Sequence, residues 1–354
     1  METPLIQEEQ GLGARFGEFN ACRLPELFAG FEAEYRAARE RVVIFDTNWH
    51  AVVELTGPDR VRYLNAIVSN DVKSLGEGFG TLALLLNPQG HILAELEIYA
   101  LQEKLLVLSH ASVRERTVAT LDKFIIMDDV TLSDVTEEFG SLAVEGPRAG
   151  SVISEACGLS LEGFSEHSIA EVKIAGVACH LIRHAHFGGP GAEIVAPRAH
   201  LGLVWGALFG AVHAMHGAPV GMRALNALRL EAGVAWFPED FNDTVIPHEA
   251  GLEATHISFS KGCYTGQEIV ERVRSRGQVN RRLVRLKFSS AEAPSALTRL
   301  RSRDAEAREV GIVTSAAFSP TAGVAIGMGY LRREFNSAGS VLDFDSGTAE
   351  VISL

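Results

Sequence analysis

The sequence predicts an α+β protein that ends in a small all-β domain. Three observations lead there. At 354 residues the chain exceeds one comfortable core, so two or three domains are expected. Its first part mixes helix-period and strand-period segments without strict alternation. From Leu283 onward only short β runs remain, separated by Gly, Ser and Pro, which suits a barrel or sandwich.

The elements follow in chain order. An irregular lead precedes a helix predicted at 25–40, with Pro25 suited to a first helical turn. Residues 42–45 and 50–55 read as strands, the second closed by Gly57. Pro58 then opens a helix with Val61, Leu64, Ile67 and Val68 on one face. Residues 81–86 and 91–99 read as a hairpin around Asn87-Pro88-Gln89-Gly90. On the returning strand Ile92, Ala94, Leu96 and Ile98 share one face, and Leu93, Glu95 and Glu97 share the other. A strand at 104–109, a helix at 113–124 and strands near 141–145 and 171–182 come next. Residues 197–232 read as mostly helical, interrupted by Pro219 and Gly221. A loop-rich stretch at 237–262 leads to another helix. Five β runs then fill the C-terminal part, at 283–288, 310–314, 322–331, 341–344 and 349–352. The expected division is an N-terminal extension and helix at 1–40, a central region at 41–280 and a β-barrel domain at 281–354.

Composition narrows the function classes. A formal net charge of −13 argues against non-specific nucleic-acid binding, which needs surplus Lys and Arg. The one basic stretch, Arg272, Arg274, Arg276, Arg281, Arg282 and Arg285, reads first as a solvated face. Four cysteines without a C-x-x-C pair suit free thiols in a reducing compartment. The N-terminus lacks a secretory layout and is too acidic for a transit peptide. No run approaches ~18 apolar residues, so no membrane span is expected and the cytoplasm is the predicted location.

Lys261-Gly262-Cys263-Tyr264-Thr265-Gly266-Gln267-Glu268 is the most informative segment. Thr265 and Glu268 have capping-box spacing, which predicts Thr265 as a helix N-cap and Gly277 as the stop. Cys263 then faces the positive end of a helix dipole, with Lys261 two residues away. Both favour the thiolate. The competing reading is an inert turn cysteine. His180, His184 and His186 form an H-x3-H-x-H cluster, but no local carboxylate or cysteine pattern completes a metal set, so no metal site is expected.

KGCYTGQEIVER resembles the signature of the YgfZ-type folate-binding proteins, relatives of the glycine-cleavage T-protein. Further segments resemble the T-protein in the same order: Phe45-Asp46, Leu55-Thr56-Gly57-Pro58-Asp59, Asn70-Asp71-Val72, Leu86-Asn87-Pro88-Gln89-Gly90, Leu228-Arg229-Leu230-Glu231-Ala232-Gly233, and Pro247 with Glu249 and Gly251-Leu252. The resemblance implies a three-lobed aminomethyltransferase-like fold with tetrahydrofolate, or a one-carbon-substituted folate, in a central cavity. It implies Cys263 and Lys261 as the reactive pair. It implies Glu193, which follows the turn Phe187 to Ala192, as a bidentate acceptor for the pterin. Arg229, Glu95, Asn87 and Tyr264 are the further candidate folate contacts. It also implies an accessory role in iron–sulfur cluster assembly or repair, with iron–sulfur proteins or their assembly machinery as partners and tRNA-thiolating enzymes among the beneficiaries. One departure argues against aminomethyl transfer itself: the T-protein's paired aspartates become Ala94 and Glu95, removing an acid that could orient or deprotonate a folate nitrogen. The T-protein's Arg-Asp also becomes Leu225-Asn226, and its Asn-Ala becomes His110-Ala111. A folate-dependent aminomethyl- or methyltransferase and a non-catalytic interaction protein are the alternatives.

Overall fold

The structure is a computed structural model and describes residues 1–352, without the side chain of Arg276. The last two residues of the stretch expected at 281–354, and that one arginine of the basic run, therefore lie outside the described residues.

Where the sequence predicts an irregular lead, the chain forms helix α1 (Ile6–Gly11) and a hairpin of β1 (Arg15–Phe19) and β2 (Cys22–Leu27). The helix expected at 25–40 starts only after Gly30, as α2 (Phe31–Glu40). Pro25 instead pairs with Phe16 across the hairpin, beside a bulge. A two-stranded ribbon tolerates a residue without an N–H, and Cys22, Leu24 and Leu27 bury one side of it. Glu34 fixes the start of α2 by accepting from the backbone N–H of Phe28 (2.7 Å) and Gly30 (3.1 Å).

The next elements are β3 (Val43–Asp46), β4 (His50–Thr56), α3 (Arg60–Ile67), β5 (Gly80–Leu86), β6 (Ile92–Ala100), β7 (Leu105–His110), α4 (Arg114–Asp122) and β8 (Thr131–Asp134). Five of these strands form an antiparallel sheet in the order β5-β6-β7-β4-β8. The outer edge of β5 is closed by polar groups. Ser69 N–H donates to Leu84 O (3.1 Å), Ser69 Oγ accepts from Leu84 N (2.8 Å), and Asn70 Nδ2 donates to Leu82 O (2.7 Å).

Then come β9 (Phe139–Glu145), α5 (Ala149–Cys157), β10 (Ile169–Ile174), β11 (Val177–Ile182), β12 (Gly191–Pro197), α6 (Leu201–Ala214), β13 (Ala218–Pro219) and α7 (Met222–Ala232). They complete a second sheet in the order β10-β11-β12-β9-β3-β13. Helices α5 and α6 cover its outer face through Val152, Ile153, Val204 and Trp205. Each such fully buried side chain contributes about 1.5–3 kcal/mol. Val52, Leu106 and Leu108 of the first sheet pack against Ile182 and Val195 of the second, so the two sheets share a core.

After α8 (Pro247–Ala250), helix α9 (Gln267–Arg276) begins one residue later than a Thr265 cap requires. Its N-cap is Gly266, at φ 83° and without a side-chain cap bond. A Cβ on Gly266 would lie 2.6 Å from the carbonyl oxygen of Asn87, so the loop turns at the residue that can approach the Asn87 turn. Gly277 ends the helix at φ 69°, as its position predicts.

The C-terminal strands β14 (Arg281–Phe288), β15 (Arg299–Arg301), β16 (Glu309–Ser319), β17 (Val324–Arg332), β18 (Val341–Phe344) and β19 (Gly347–Ile352) close into a barrel in the order β14-β17-β16-β15-β18-β19. The barrel has its own core, centred on Leu286, Phe288, Leu331 and Leu342. The α+β class with a terminal all-β barrel is therefore the observed architecture. Among the described residues no helix is long and apolar enough to cross a membrane.

Candidate functional site

The two sheets and the barrel meet around a cavity with two lobes, a smaller and a larger, that share part of their lining. Both lobes are lined by Glu95, Glu97, His184, His186 and Trp236. The smaller adds Trp49, His50, His110 and Phe237. The larger adds His256 and, from the barrel, Leu283, Val284 and Met328.

The acids reach the cavity because of strand alternation on β6. Ala94, Leu96 and Ile98 are fully buried in the apolar core beneath the sheet. Glu95 and Glu97 point the other way, into the cavity. This corrects the expectation that Ala94 removes a useful acid: a carboxylate at 94 would sit in the core, and the cavity-facing positions both hold acids. Glu95 Oε1 lies 2.9 Å from His256 Nε2, and His256 Nδ1 lies 2.7 Å from Thr255 Oγ1. That network assigns the Nε2–H tautomer to a neutral His256, donating to Glu95 and accepting from Thr255.

Under the cavity floor lies a second layer of charge. Glu193 is fully buried on β12. Its Oε1 accepts from Thr47 Oγ1 (2.9 Å) and lies 2.8 Å from His50 Nδ1, while its Oε2 has no hydrogen-bond partner. Trp49 Nε1 donates to His50 Nε2 (3.0 Å), which leaves the His50 proton on Nδ1, facing Glu193. The ring of His186 stands between two carboxylates, Nδ1 at 3.6 Å from Glu145 and Nε2 at 3.5 Å from Glu193. Burial disfavours its charge, but Glu145 and Glu193 outweigh that and raise its pKa to about 10. Burial likewise opposes ionisation of Glu193, and His50 and His186 hold it well below the ordinary range. His110 moves the opposite way: burial, with His50 nearby, lowers it to about 3 and keeps it neutral.

The glycine-rich turn itself binds Glu145. Glu145 accepts from the backbone N–H groups of His186 (2.7 Å), Phe187 (3.0 Å) and Gly189 (2.9 Å). Glu193 lies beyond that turn, behind His50 and His186.

Arg229, Asn87, Lys261, Tyr264 and Cys263, the other predicted site residues, line neither lobe. Arg229 is fully buried and donates to Asp240 and to Val234 O (3.1 Å), with its guanidinium 5.1 Å from the ring centroid of Trp236. It positions a cavity wall. Asn87 Oδ1 accepts from the N–H groups of Gln89 (2.9 Å) and His91 (3.0 Å) and shapes its own turn. Lys261 Nζ donates to the carbonyls of Asn65, Val68 and Asn70 and so caps the C-terminal end of α3. Burial lowers its pKa to about 8, with Asp71 acting against the shift. Tyr264 is buried, its ring centroid 5.2 Å from Lys261 Nζ, and burial pushes its hydroxyl up to about 12. Cys263 is an exposed free thiol. Glu95 is thus the one predicted contact that faces the cavity directly. His50, Glu97, His167, His256 and Glu145 escaped the sequence reading as site residues. Only Glu97 left a local signal, as a second acid on the polar face of a strand.

Comparison with known proteins agrees with this architecture. Residues 5–261 match the GCVT N-terminal domain, and residues 281–351 match the glycine cleavage T-protein C-terminal barrel domain. An aminomethyltransferase of Rubrobacter xylanophilus is 31% identical over 346 residues, covering 96% of this chain and 89% of the relative. One of Saccharopolyspora erythraea is 28% identical over 360 residues, covering 100% and 97%. The crystal structure of glycine cleavage system aminomethyltransferase T from Bartonella henselae superposes with a TM-score of 0.90 at 24% identity, covering 100% of this chain and 97% of that one, a likeness of fold. With both domains matched in order and a cavity at their junction, the chain belongs to the glycine cleavage T-protein family.

Proposed function

We propose that the protein is a tetrahydrofolate-dependent one-carbon transferase acting on an aminomethyl- or methyl-level carbon. The observation that carries this reading is Glu95, an acid on the cavity-facing side of β6, held by His256. The family's relatives bear the name aminomethyltransferase, and the cavity suits a flat, polar-edged ring. Trp49 and Trp236 stand 6.0 Å apart between ring centroids and offer apolar faces. Glu95 and Glu97 offer acceptors for the donor edge of a pterin. Bound tetrahydrofolate would supply the nitrogen that takes up the carbon unit as the donor's bond to that carbon breaks and its amine leaves with a proton. Glu95 would orient that nitrogen and receive its proton. The Nε2–H of His256 would steady the Glu95 carboxylate for that transfer. The aromatic walls would exclude water.

A second reading rests on the KGCYTGQE motif: an accessory factor for iron–sulfur proteins using Cys263. The exposure of that thiol, outside the cavity lining, favours chemistry with a partner over chemistry on cavity-bound folate. Anaerobic calorimetric titration of tetrahydrofolate, followed by turnover with a methylamine-type donor, separates the readings. For the transferase, wild-type protein binds saturably and turns over. Glu95→Gln then loses about 10²–10⁴-fold in rate, and Cys263→Ser keeps it. Folate binding without turnover in any protein would leave the accessory reading standing. Absence of binding would remove both.

A further inference from the structure

We propose that Glu97, His167 and His184 form a site for one divalent transition-metal ion, zinc being the closest chemical match, at the wall of the central cavity. Their candidate ligand atoms all lie within 4.8 Å of one another. Two imidazoles and one carboxylate form a donor set that zinc and iron(II) both accept. The three residues come from two sheets. Glu97 stands on β6, His167 in the turn before β10, and His184 just after β11. The H-x3-H-x-H spacing therefore misleads in one respect. His180 belongs to the strand, while the fold supplies His184 with a carboxylate and a second imidazole that local sequence does not show.

Independent features point to a ligand here. The Nδ1 atoms of His167 and His184 are buried with no hydrogen-bond partner, and the two rings lie 5.4 Å apart between centroids. His167 adopts φ 62°, a left-handed conformation unusual for a side-chain-bearing residue, and its N–H is tied to Arg183 O (2.8 Å). Glu97 Oε2 accepts from Tyr99 OH (2.6 Å), an outer contact of the kind that orients a metal ligand. A tetrahedral zinc with bonds of about 2.0 Å needs ligand atoms about 3.3 Å apart, inside the 4.8 Å within which these three groups already lie, so binding would draw them together. Glu97 and His184 also line both lobes of the cavity. The fourth coordination position would therefore face the cavity and take water or a donor atom of the cavity's ligand.

The test is spectroscopic and independent of folate. The full chain, freed of metal by a chelator, is titrated with Co²⁺ and then with Zn²⁺. The expected result is one equivalent of Co²⁺ giving visible d–d absorption that Zn²⁺ displaces. Affinity should fall about tenfold or more in each of His184→Ala, His167→Ala and Glu97→Gln. It should be unchanged in His213→Ala, which alters an exposed histidine of α6. Circular dichroism confirms that each variant is folded, and the milder His184→Gln replaces any that is not. Sub-stoichiometric binding, or an affinity that these substitutions leave unchanged in folded protein, overturns the site.

Discussion

At the scale of single residues, burial decides most of the electrostatics. Glu9 is fully buried in α1, and neither carboxylate oxygen has a hydrogen-bond partner. Burial, with Asp46 beside it, raises its pKa from 4.5 to about 11, so it folds as the protonated acid. Its stabilising contribution is complete below pH 4.5 and is lost as pH rises toward 11. Glu9→Gln keeps a neutral donor next to Asp46 and should raise stability at pH 8 by about 1 kcal/mol or more, with little effect near pH 4. Urea unfolding at the two pH values checks this, and equal shifts at both would refute it. The same scale shows what the sequence concealed. Cys263, Lys261 and Tyr264 are neighbours in a motif, yet one is exposed, one caps a helix and one is buried. Their shared spacing marks a loop that must pack, and spacing alone cannot tell a packing lysine from a catalytic one.

At the scale of elements, periodicity was legible and partnership was not. The two faces of β6 follow directly from alternation, but which face meets a cavity depends on the second sheet and the barrel, and so Ala94 looked like a lost functional group. Pro25 suits a helix start in isolation, whereas its pairing with Phe16 is a non-local fact. Thr265 has a capping partner in sequence, but the close approach of the Asn87 turn selects Gly266. That contact yields a prediction. Gly266→Ala places a Cβ 2.6 Å from Asn87 O at a backbone φ of 83°. It should destabilise the protein by about 1–3 kcal/mol. Chemical denaturation measures the loss, and a change under about 0.5 kcal/mol would mean that the two turns move apart freely.

At the scale of the whole molecule, one buried carboxylate joins parts distant in sequence. Asp240 Oδ2 accepts from Arg229 of α7 and from Trp236 N (3.0 Å). Its Oδ1 accepts from Thr314 (2.6 Å) and Ser315 (2.5 Å) of the barrel, and its carbonyl accepts from Tyr330 OH (2.9 Å). Asp240→Ala leaves Arg229 buried and unpaired, so a loss of about 3–5 kcal/mol is expected. Because Trp236 loses its anchor, folate affinity should fall as well, and calorimetry on the folded fraction measures it. Stability within 1 kcal/mol of wild type would show that the Asp240 network does not hold the barrel in place. The polar closure of β5 has a further consequence. A sheet margin with free amides is a template for strands of other chains, and aggregation starts there. Here Ser69 and Asn70 occupy backbone groups of β5, the opposite margin is the four-residue β8, the second sheet ends in the two-residue β13 with its proline, and the barrel has no margin at all. The margin at β10 carries exposed Glu171 and Lys173, which repel apolar strands. These margins thus resist the edge-to-edge strand pairing that would otherwise join one copy's sheet to another's.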